Sequence, residues 1–388
     1  MNNVPQLEDL PDPSGRSVLV RADFNVPIGP DGEIDDDLRI RAALPTLRWL
    51  LDSGATVTVC SHLGRPKGTP NPKYSMDPVR RRLGELLGRA GEGTVELLEN
   101  LRFDAGEEGN DPAFVARLVD GHDLYVNDAF GAAHRAHASI VGPPQTLPSA
   151  AGRLLAKEVE VIGGLLENPA RPFIAVLGGS KVSDKLGVIE ALLGGGRGGG
   201  VVVDKVLIGG GMCFTFFAAQ GLQIGDSLLE EDQVENAKRL LETGKILLPE
   251  DVVGLGPGGE IGKPEAGGDI RLFSRGLPSG WKGLDIGPGA AAAFGEVIND
   301  ARTILWNGPM GVFEDPRFEA GTRAVAEACA ESRGFTVVGG GDSASALSKF
   351  RLDDDIDHVS TGGGASLEFI EQGDLPGLAA LRGAPNAR

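Results

Sequence analysis

Phe173-Ile-Ala-Val-Leu-Gly-Gly-Ser-Lys-Val-Ser-Asp-Lys185 runs from five uninterrupted apolar residues through a glycine pair into a polar segment with two lysines. An apolar run without polar alternation reads as a strand buried on both faces. The glycines permit a tight turn, and the residues after them read as a helix start. Backbone N–H groups at such a turn form an anion site, and a helix would set Lys181 and Lys185 four apart on one face. The chain has only 11 Lys, so two at one turn favour phosphate binding over a pair of solvated surface charges.

The same grammar recurs in both directions from this stretch. Short runs rich in Val, Ile and Leu lie at 17–26, 55–61, 94–99, 123–127, 205–208, 246–253, 302–306, 335–338 and 358–361. Helical patterns lie between them at 38–53, 78–89, 111–118, 185–193, 231–243, 290–299 and 321–332. Alternating strand and helix predicts parallel sheets with right-handed crossovers. So many strands are at the limit for one open twisted sheet. Residues 154–166 show helical periodicity and are followed by Pro169 and Pro172, which predicts a stiff connector between two domains.

Composition bounds the function. At 388 residues there is room for two or three well-packed domains. The 59 glycines are about twice the usual share of roughly 7%; they are not periodic as in collagen, and many close apolar runs. A net charge of −18 argues against nonspecific binding to nucleic acid or to an anionic membrane. Residues 1–155 hold 16 basic and 22 acidic side chains and the remainder 21 and 33, so the N-terminal part is less acidic. Cys60, Cys213 and Cys329 have no metal-ligand spacing and suit a reducing cytoplasm. No run approaches the ~18 apolar residues of a membrane span, so a cytoplasmic protein is expected.

Several motifs carry chemistry. Val337-Val-Gly-Gly-Gly-Asp-Ser343 repeats the strand-and-glycine turn but ends in Asp342. A carboxylate at a phosphate turn repels the ligand unless a hard cation lies between, and Mg²⁺ takes one or two carboxylates plus substrate phosphates. The alternative is that Asp342 caps the next helix. In the N-terminal part Arg21, Arg39, Arg65, Arg102 and Arg135 follow or interrupt strand ends, joined by His62, His134 and His137. Arg forks match carboxylate and phosphate, so their convergence would suit a small, multiply anionic substrate. Asp23 and Asn25 sit at a strand end, where binding a substrate hydroxyl competes with turn formation. Gly254-Leu-Gly-Pro-Gly-Gly259 matches a dinucleotide fingerprint, yet Pro257 removes a donor and no helix can follow. No Walker A motif and no nucleophile elbow occurs, and phosphoryl transfer needs neither.

Taken together, these motifs make the chain resemble the phosphoglycerate kinase family. Arg21-Ala-Asp-Phe-Asn-Val-Pro27, Ser61-His-Leu-Gly-Arg-Pro66, Leu97-Leu-Glu-Asn-Leu-Arg-Phe103, Asn127-Asp-Ala-Phe-Gly-Ala-Ala-His-Arg-Ala-His137, Trp306-Asn-Gly-Pro309, Gly339-Gly-Gly-Asp-Ser343 and Ser360-Thr-Gly-Gly-Gly364 occur with the lysine turn in family order. The resemblance implies an α/β fold of two Rossmann-like three-layer α/β/α domains with mainly parallel sheets, joined by a helix and facing across a cleft. Residues 1–153, completed by about 365–388, would bind 3-phosphoglycerate, and 154–364 would bind nucleotide.

By motif matching, Asp23, Phe24, Asn25, Arg39, His62, Leu63, Gly64, Arg65, Arg102 and Arg135 would hold the substrate. Arg39, Lys181, Gly363 and Gly364 would serve catalysis. Lys181, Lys185, Gly283, Asn307, Glu314, Gly340, Gly341, Asp342 and Ser343 would form the nucleotide site, with Asp342 on Mg²⁺. The implied activity is a glycolytic phosphoryl transfer between 1,3-bisphosphoglycerate and MgADP, giving 3-phosphoglycerate and MgATP after domain closure, by a monomer with small-molecule partners only. Rival readings are another small-carboxylate kinase, a non-catalytic nucleotide binder on the same fold, and a dehydrogenase resting on the 254–259 glycines. The 194–200 glycine run reads as a flexible loop, and 254–268 is glycine-rich where the family builds part of the nucleotide pocket's lip.

Overall fold

The computed structural model describes residues 4–91, 93–195 and 202–385. Two compact units emerge, one comprising Met1–Gly163 with Asp374–Arg388 and the other Gly164–Gly373. The division falls inside the helix Arg153–Glu167, over the predicted connector.

The first unit holds a parallel sheet of β1 (Ser17–Ala22), β2 (Thr56–Cys60), β3 (Val95–Leu97), β4 (Leu124–Asp128) and β5 (Ser149–Ala151), in the order β3-β2-β1-β4-β5. Its strands are buried along almost their whole length because helices cover the sheet. The helix Asp77–Leu87 shows why. Val79, Leu83 and Leu87 recur four apart and are buried, each such burial contributing about 1.5–3 kcal/mol. Arg80, Arg81, Arg82 and Glu85 between them form ion pairs on the outer face. Sequence pattern missed β5, whose Ser-Ala-Ala carries no β-branched side chain.

The second unit adds β6 (Phe173–Leu177), β7 (Lys205–Ile208), β8 (Ile246–Leu247), β9 (Asp251–Leu255), β10 (Ile270–Ser274), β11 (Lys282–Ile286), β12 (Thr303–Asn307), β13 (Phe335–Gly339) and β14 (His358–Val359). Six of these form a parallel sheet ordered β14-β13-β12-β6-β7-β8, and β10-β9-β11 form a separate antiparallel sheet. The apolar run 246–253, expected as one strand, is therefore two strands in different sheets. Pro249 interrupts it, and a proline cannot donate to a central ladder. The 254–259 glycines close β9 and enter the loop that leads to β10, so the fingerprint lacks its helix. Within the 194–200 run, Gly194 (φ +96°) and Gly195 end a wide helical turn over Ala191–Gly195; residues 196–200 lie outside the described residues.

The helix Gly364–Gln372 stays with the second unit, because Gly187 leaves room only for the Glu371 carboxylate against it. Gly373, at φ +74°, ends that helix, and the chain joins the first unit only from Asp374. There Gly377 N donates to Ala133 O at 2.9 Å.

Candidate active site

In open parallel sheets, ligands gather beyond the carboxyl ends of strands where the strand order reverses. In the first sheet that place lies between β1 and β4, and in the second between β12 and β6.

Beyond β6 and β12 opens a pocket of about 250 Å³ lined by Gly178, Gly179, Ser180, Lys181, Asp184, Lys185, Asn307, Gly308, Pro309, Gly340, Gly341, Asp342, Ser343, Gly363, Gly364 and Leu367. Nine of these are predicted site residues. Gly283 and Glu314 do not line the pocket. Gly283 sits in β11 under the Phe214 ring, and Glu314 is exposed.

The lysine turn is not helical where expected. The helix starts at Leu186, so Lys181 and Lys185 precede it in a turn. Glu230 braces the turn: its carboxylate accepts Val182 N, Ser183 N and Ser183 Oγ, so these donors are satisfied outside a helix. Gly178 N and Gly179 N donate to Asn307 O and Pro309 O. Those backbone donors are committed, so the positive potential comes from the lysines themselves. Lys185 Nζ donates to Asn307 Oδ1. Burial holds its pKa below the usual lysine range, against the pull of Asp184 and Asp342. Asn307 Nδ2 is a buried donor with no hydrogen-bond partner.

Two longer helices begin at the pocket wall. Gly341–Phe350 starts after Gly340 (φ +94°), and Gly364–Gln372 after Gly363 (φ +54°). Glycine is needed at those entries because the backbone is left-handed. Opening N–H groups of a helix lack an intrahelical partner; of these, Ala365 N donates to Gly362 O at 3.0 Å. Asp342 lies in the first turn without capping the helix, so its carboxylate is not used as the cap. Ser343 is fully buried, and its Oγ accepts Gly308 N at 2.6 Å, which holds the loop after β12.

The first unit carries the basic cluster. Arg39 Nη1 donates to Asp23 Oδ2 at 3.1 Å and to Asn25 O at 3.3 Å, while Asn25 Oδ1 accepts Gly64 N at 2.8 Å. Arg102 Nη1 donates to Gly64 O at 2.7 Å. Gly64, at φ +60°, has no room for a Cβ beneath the Tyr74 ring. Arg21 Nη2 lies 3.1 Å from His62 Nδ1, and Arg135 Nε 3.2 Å from His134 Nε2. Arg65 is exposed next to Gly64. Phe24 and Leu63 place their side chains in the core, leaving only backbone to face a ligand.

Burial would raise the Asp23 carboxyl, but the cations beside it, Arg39 foremost and then Arg21, hold it below the usual range. Burial also drives His62 well below 6.5 despite Asp23, with Arg21, Arg102 and Arg39 adding to the effect. His137 falls to about 4 through burial, then Arg102, Arg135, Arg21 and His134. His62 and His137 are therefore neutral at physiological pH, and the positive charge of the cluster is that of the arginines.

Sequence reasoning missed Glu107, Ser139, Asp184 and Glu230. Glu107 is fully buried and accepts Ser139 N at 3.0 Å and Ser139 Oγ at 2.7 Å. Its context, Ala105-Gly-Glu-Glu-Gly-Asn110, reads as a solvated acidic turn, with no local signal for burial. Asp184 lay inside a quoted motif but reads as a surface charge.

A family model described as phosphoglycerate kinase matches residues 7–373. The phosphoglycerate kinase of Rubrobacter xylanophilus is 53% identical over 388 residues, 95% of each chain. That of Salinispora tropica is 53% identical over 395 residues, 95% of this chain and 96% of its own. The solved structure of phosphoglycerate kinase from Coxiella burnetii superposes with a TM-score of 0.85 at 37% identity, covering 98% of this chain and 99% of its own. Sheet order, lysine turn, basic cluster and these likenesses agree, and the chain belongs to the phosphoglycerate kinase family.

Proposed function

We propose that the protein transfers a phosphoryl group reversibly between the acyl phosphate of 1,3-bisphosphoglycerate and ADP, giving 3-phosphoglycerate and ATP. The observation that carries this reading is that Lys181, Lys185 and Asp342 line one pocket with Asn307, whose buried Nδ2 lacks a partner. Two cations, a buried donor and two glycine-led helix starts suit a polyphosphate. The arginine cluster of the first unit, with Asp23 and Asn25 as hydroxyl partners, suits a small acid bearing its own phosphate. The nucleotide is therefore assigned to Gly164–Gly373 and the phosphoglycerate to the other unit.

In the ATP-consuming direction the nucleophile is a carboxylate, ionised at neutral pH. No general base is needed, and the lowered pKa values of the histidines remove them as candidates. Lys181 and the first N–H groups of the helices at Gly341 and Gly364 would stabilise charge on the transferring group. Arg39 would orient and neutralise the acceptor carboxylate. Because the two ligands are assigned to different units, turnover requires domain closure.

The donor set also fits Mg²⁺. Among the described residues no cluster of three or more His, Cys, Asp or Glu side chains could hold a metal, whereas Mg²⁺ binds through one or two carboxylates completed by phosphates and water. Asp342 would hold it, and the ion would neutralise charge on the nucleotide phosphates. The buried free thiols suit a reducing compartment such as the cytoplasm, and among the described residues no helix is long and apolar enough to cross a membrane.

The test is phosphorylation of 3-phosphoglycerate by ATP, followed through a coupled dehydrogenase with and without Mg²⁺. Turnover that requires Mg²⁺ and is lost in Lys181→Ala supports the reading. Nucleotide binding without turnover overturns it in favour of a non-catalytic binder.

A further inference from the structure

Beneath the basic cluster, Arg21 is fully buried on β1, and every bond it makes constrains its neighbours. A guanidinium only donates. Its Nε donates to Ser139 Oγ at 2.8 Å, and one terminal nitrogen to Ala22 O. Ser139 has a single O–H, and that hydroxyl donates to Glu107 Oε1 at 2.7 Å. Glu107 also accepts Ser139 N at 3.0 Å and lies 4.0 Å from Arg21 Nη2. Tyr125 Oη fixes the same segment by donating to Ser139 O at 2.7 Å. The protons along this chain therefore run one way, from Arg21 through Ser139 to Glu107.

The last arm of Arg21 ends on His62. Arg21 Nη2 lies 3.1 Å from His62 Nδ1, whereas the competing carboxylate oxygen, Asp23 Oδ1, lies 3.9 Å away. Only the first is a hydrogen-bond distance. Because Arg21 cannot accept, Nδ1 must be bare, and the ring's proton must sit on Nε2. We propose that the buried chain Glu107–Ser139–Arg21 locks His62 as the neutral Nε2–H tautomer, so that the ring presents a hydrogen-bond donor to an anionic oxygen of the substrate. Arg21, Ser139 and Glu107 are then positioning residues. The donor role rests on His62 being a ligand of the acidic substrate; the tautomer does not.

The charged groups facing His62 agree. Asp23 favours the protonated ring, while Arg21, Arg102 and Arg39 oppose it. They come from the strand, helix and loop segments around the ring. A neutral donor lets the substrate's anionic oxygen approach a site whose net charge does not change with pH near neutrality.

The decisive measurement is ¹⁵N-edited NMR of the histidine side chains in the intact protein across about pH 5.5–8.5. Five histidines keep the spectrum small, and loss of one set in His62→Gln assigns it. The expected spectrum has an unprotonated Nδ1, a protonated Nε2 and no titration in this range. A protonated Nδ1, or an imidazolium forming near pH 6.5, overturns the proposal in the wild type, with no variant needed.

Arg21→Met should free the ring. His62 should then titrate, and KM for 3-phosphoglycerate should become pH-dependent, rising roughly tenfold between pH 6 and 8 with kcat changed less. Should Arg21→Met not fold, Ser139→Ala cuts the same chain and is expected to raise the share of the Nδ1–H tautomer. An unchanged His62 spectrum in a folded variant of either kind overturns the positioning roles. A wild type inactive as a kinase but showing the Nε2–H ring would sink the functional reading and leave the tautomer assignment standing.

Discussion

Lys185 Nζ donates to Asn307 Oδ1 across 122 residues of sequence, joining the segments beyond the adjacent strands β6 and β12. The amide thereby spends its acceptor on the lysine, while its donor, Nδ2, lies buried beside Gly340 with no hydrogen-bond partner. Asn307→Ala removes both. A hydrogen bond involving a charged partner is worth about 1.5–3 kcal/mol, so KM for the nucleotide should rise about tenfold or more, with kcat changed less. Steady-state kinetics at saturating 3-phosphoglycerate checks it.

Lys181 is exposed at the same pocket. Lys181→Ala should leave stability within about 0.5 kcal/mol, as for other exposed positions. Turnover should fall by roughly 10²–10³, the cost of losing one charge-stabilising group in the transition state. Urea unfolding beside kinetics separates the two effects. A variant with near-normal turnover would remove Lys181 from the mechanism.

Arg39 holds the Asp23 carboxylate at 3.1 Å and is the largest force keeping that buried group ionised. A depressed carboxyl stabilises the fold above its unfolded value of 3.8, and the contribution fades as pH falls through the lower folded value. Arg39→Ala should lower turnover by about 10² or more and raise the midpoint of acid unfolding. Circular dichroism during acid titration reads the second effect. An unmoved midpoint would mean that another cation suffices for Asp23.

Asp128 behaves in the opposite sense. Burial lifts its carboxyl from 3.8 to about 6, against the Thr46 hydroxyl and the N–H groups of Leu155 and Leu154. Its Oδ1 accepts those two N–H groups at the start of the helix Arg153–Glu167, while Oδ2 is buried without a partner. The folded state keeps a proton that the unfolded chain releases. The stabilisation is therefore complete below pH 3.8 and is lost as pH rises through about 6. Asp128→Asn keeps the Oδ1 acceptor and cannot ionise. Relative to wild type it should gain about 3 kcal/mol between acid and neutral pH. Denaturant unfolding at several pH values measures the gain, and parallel stability curves would refute it.

Much of this was legible because it depends on local pattern. Phe173–Leu177 is apolar because both faces of its strand are covered, and the glycine entries at Gly340 and Gly363 are glycines because their φ is positive. Three things were not legible. The antiparallel strands β10 and β11 lie in glycine-rich sequence, with Ile270 and Leu272 exposed on β10, so burial left little pattern. The turn at Lys181 is shaped by Glu230, 48 residues from Val182. The buried Glu107 is 32 residues from the serine that justifies its burial. Long-range polar pairing leaves no local period to read.

The first unit is interrupted: its sheet is made by residues before Gly163, yet the helix Pro376–Arg382, which seats Gly377 on Ala133 and Ile140, follows the whole of the second unit. A ribosome therefore delivers every residue of the second unit while the first still lacks its closing helix. The exposed seat around Ile140 must wait through 210 further residues, Gly164–Gly373, and their emergence sets the interval during which a chaperone could cover that seat.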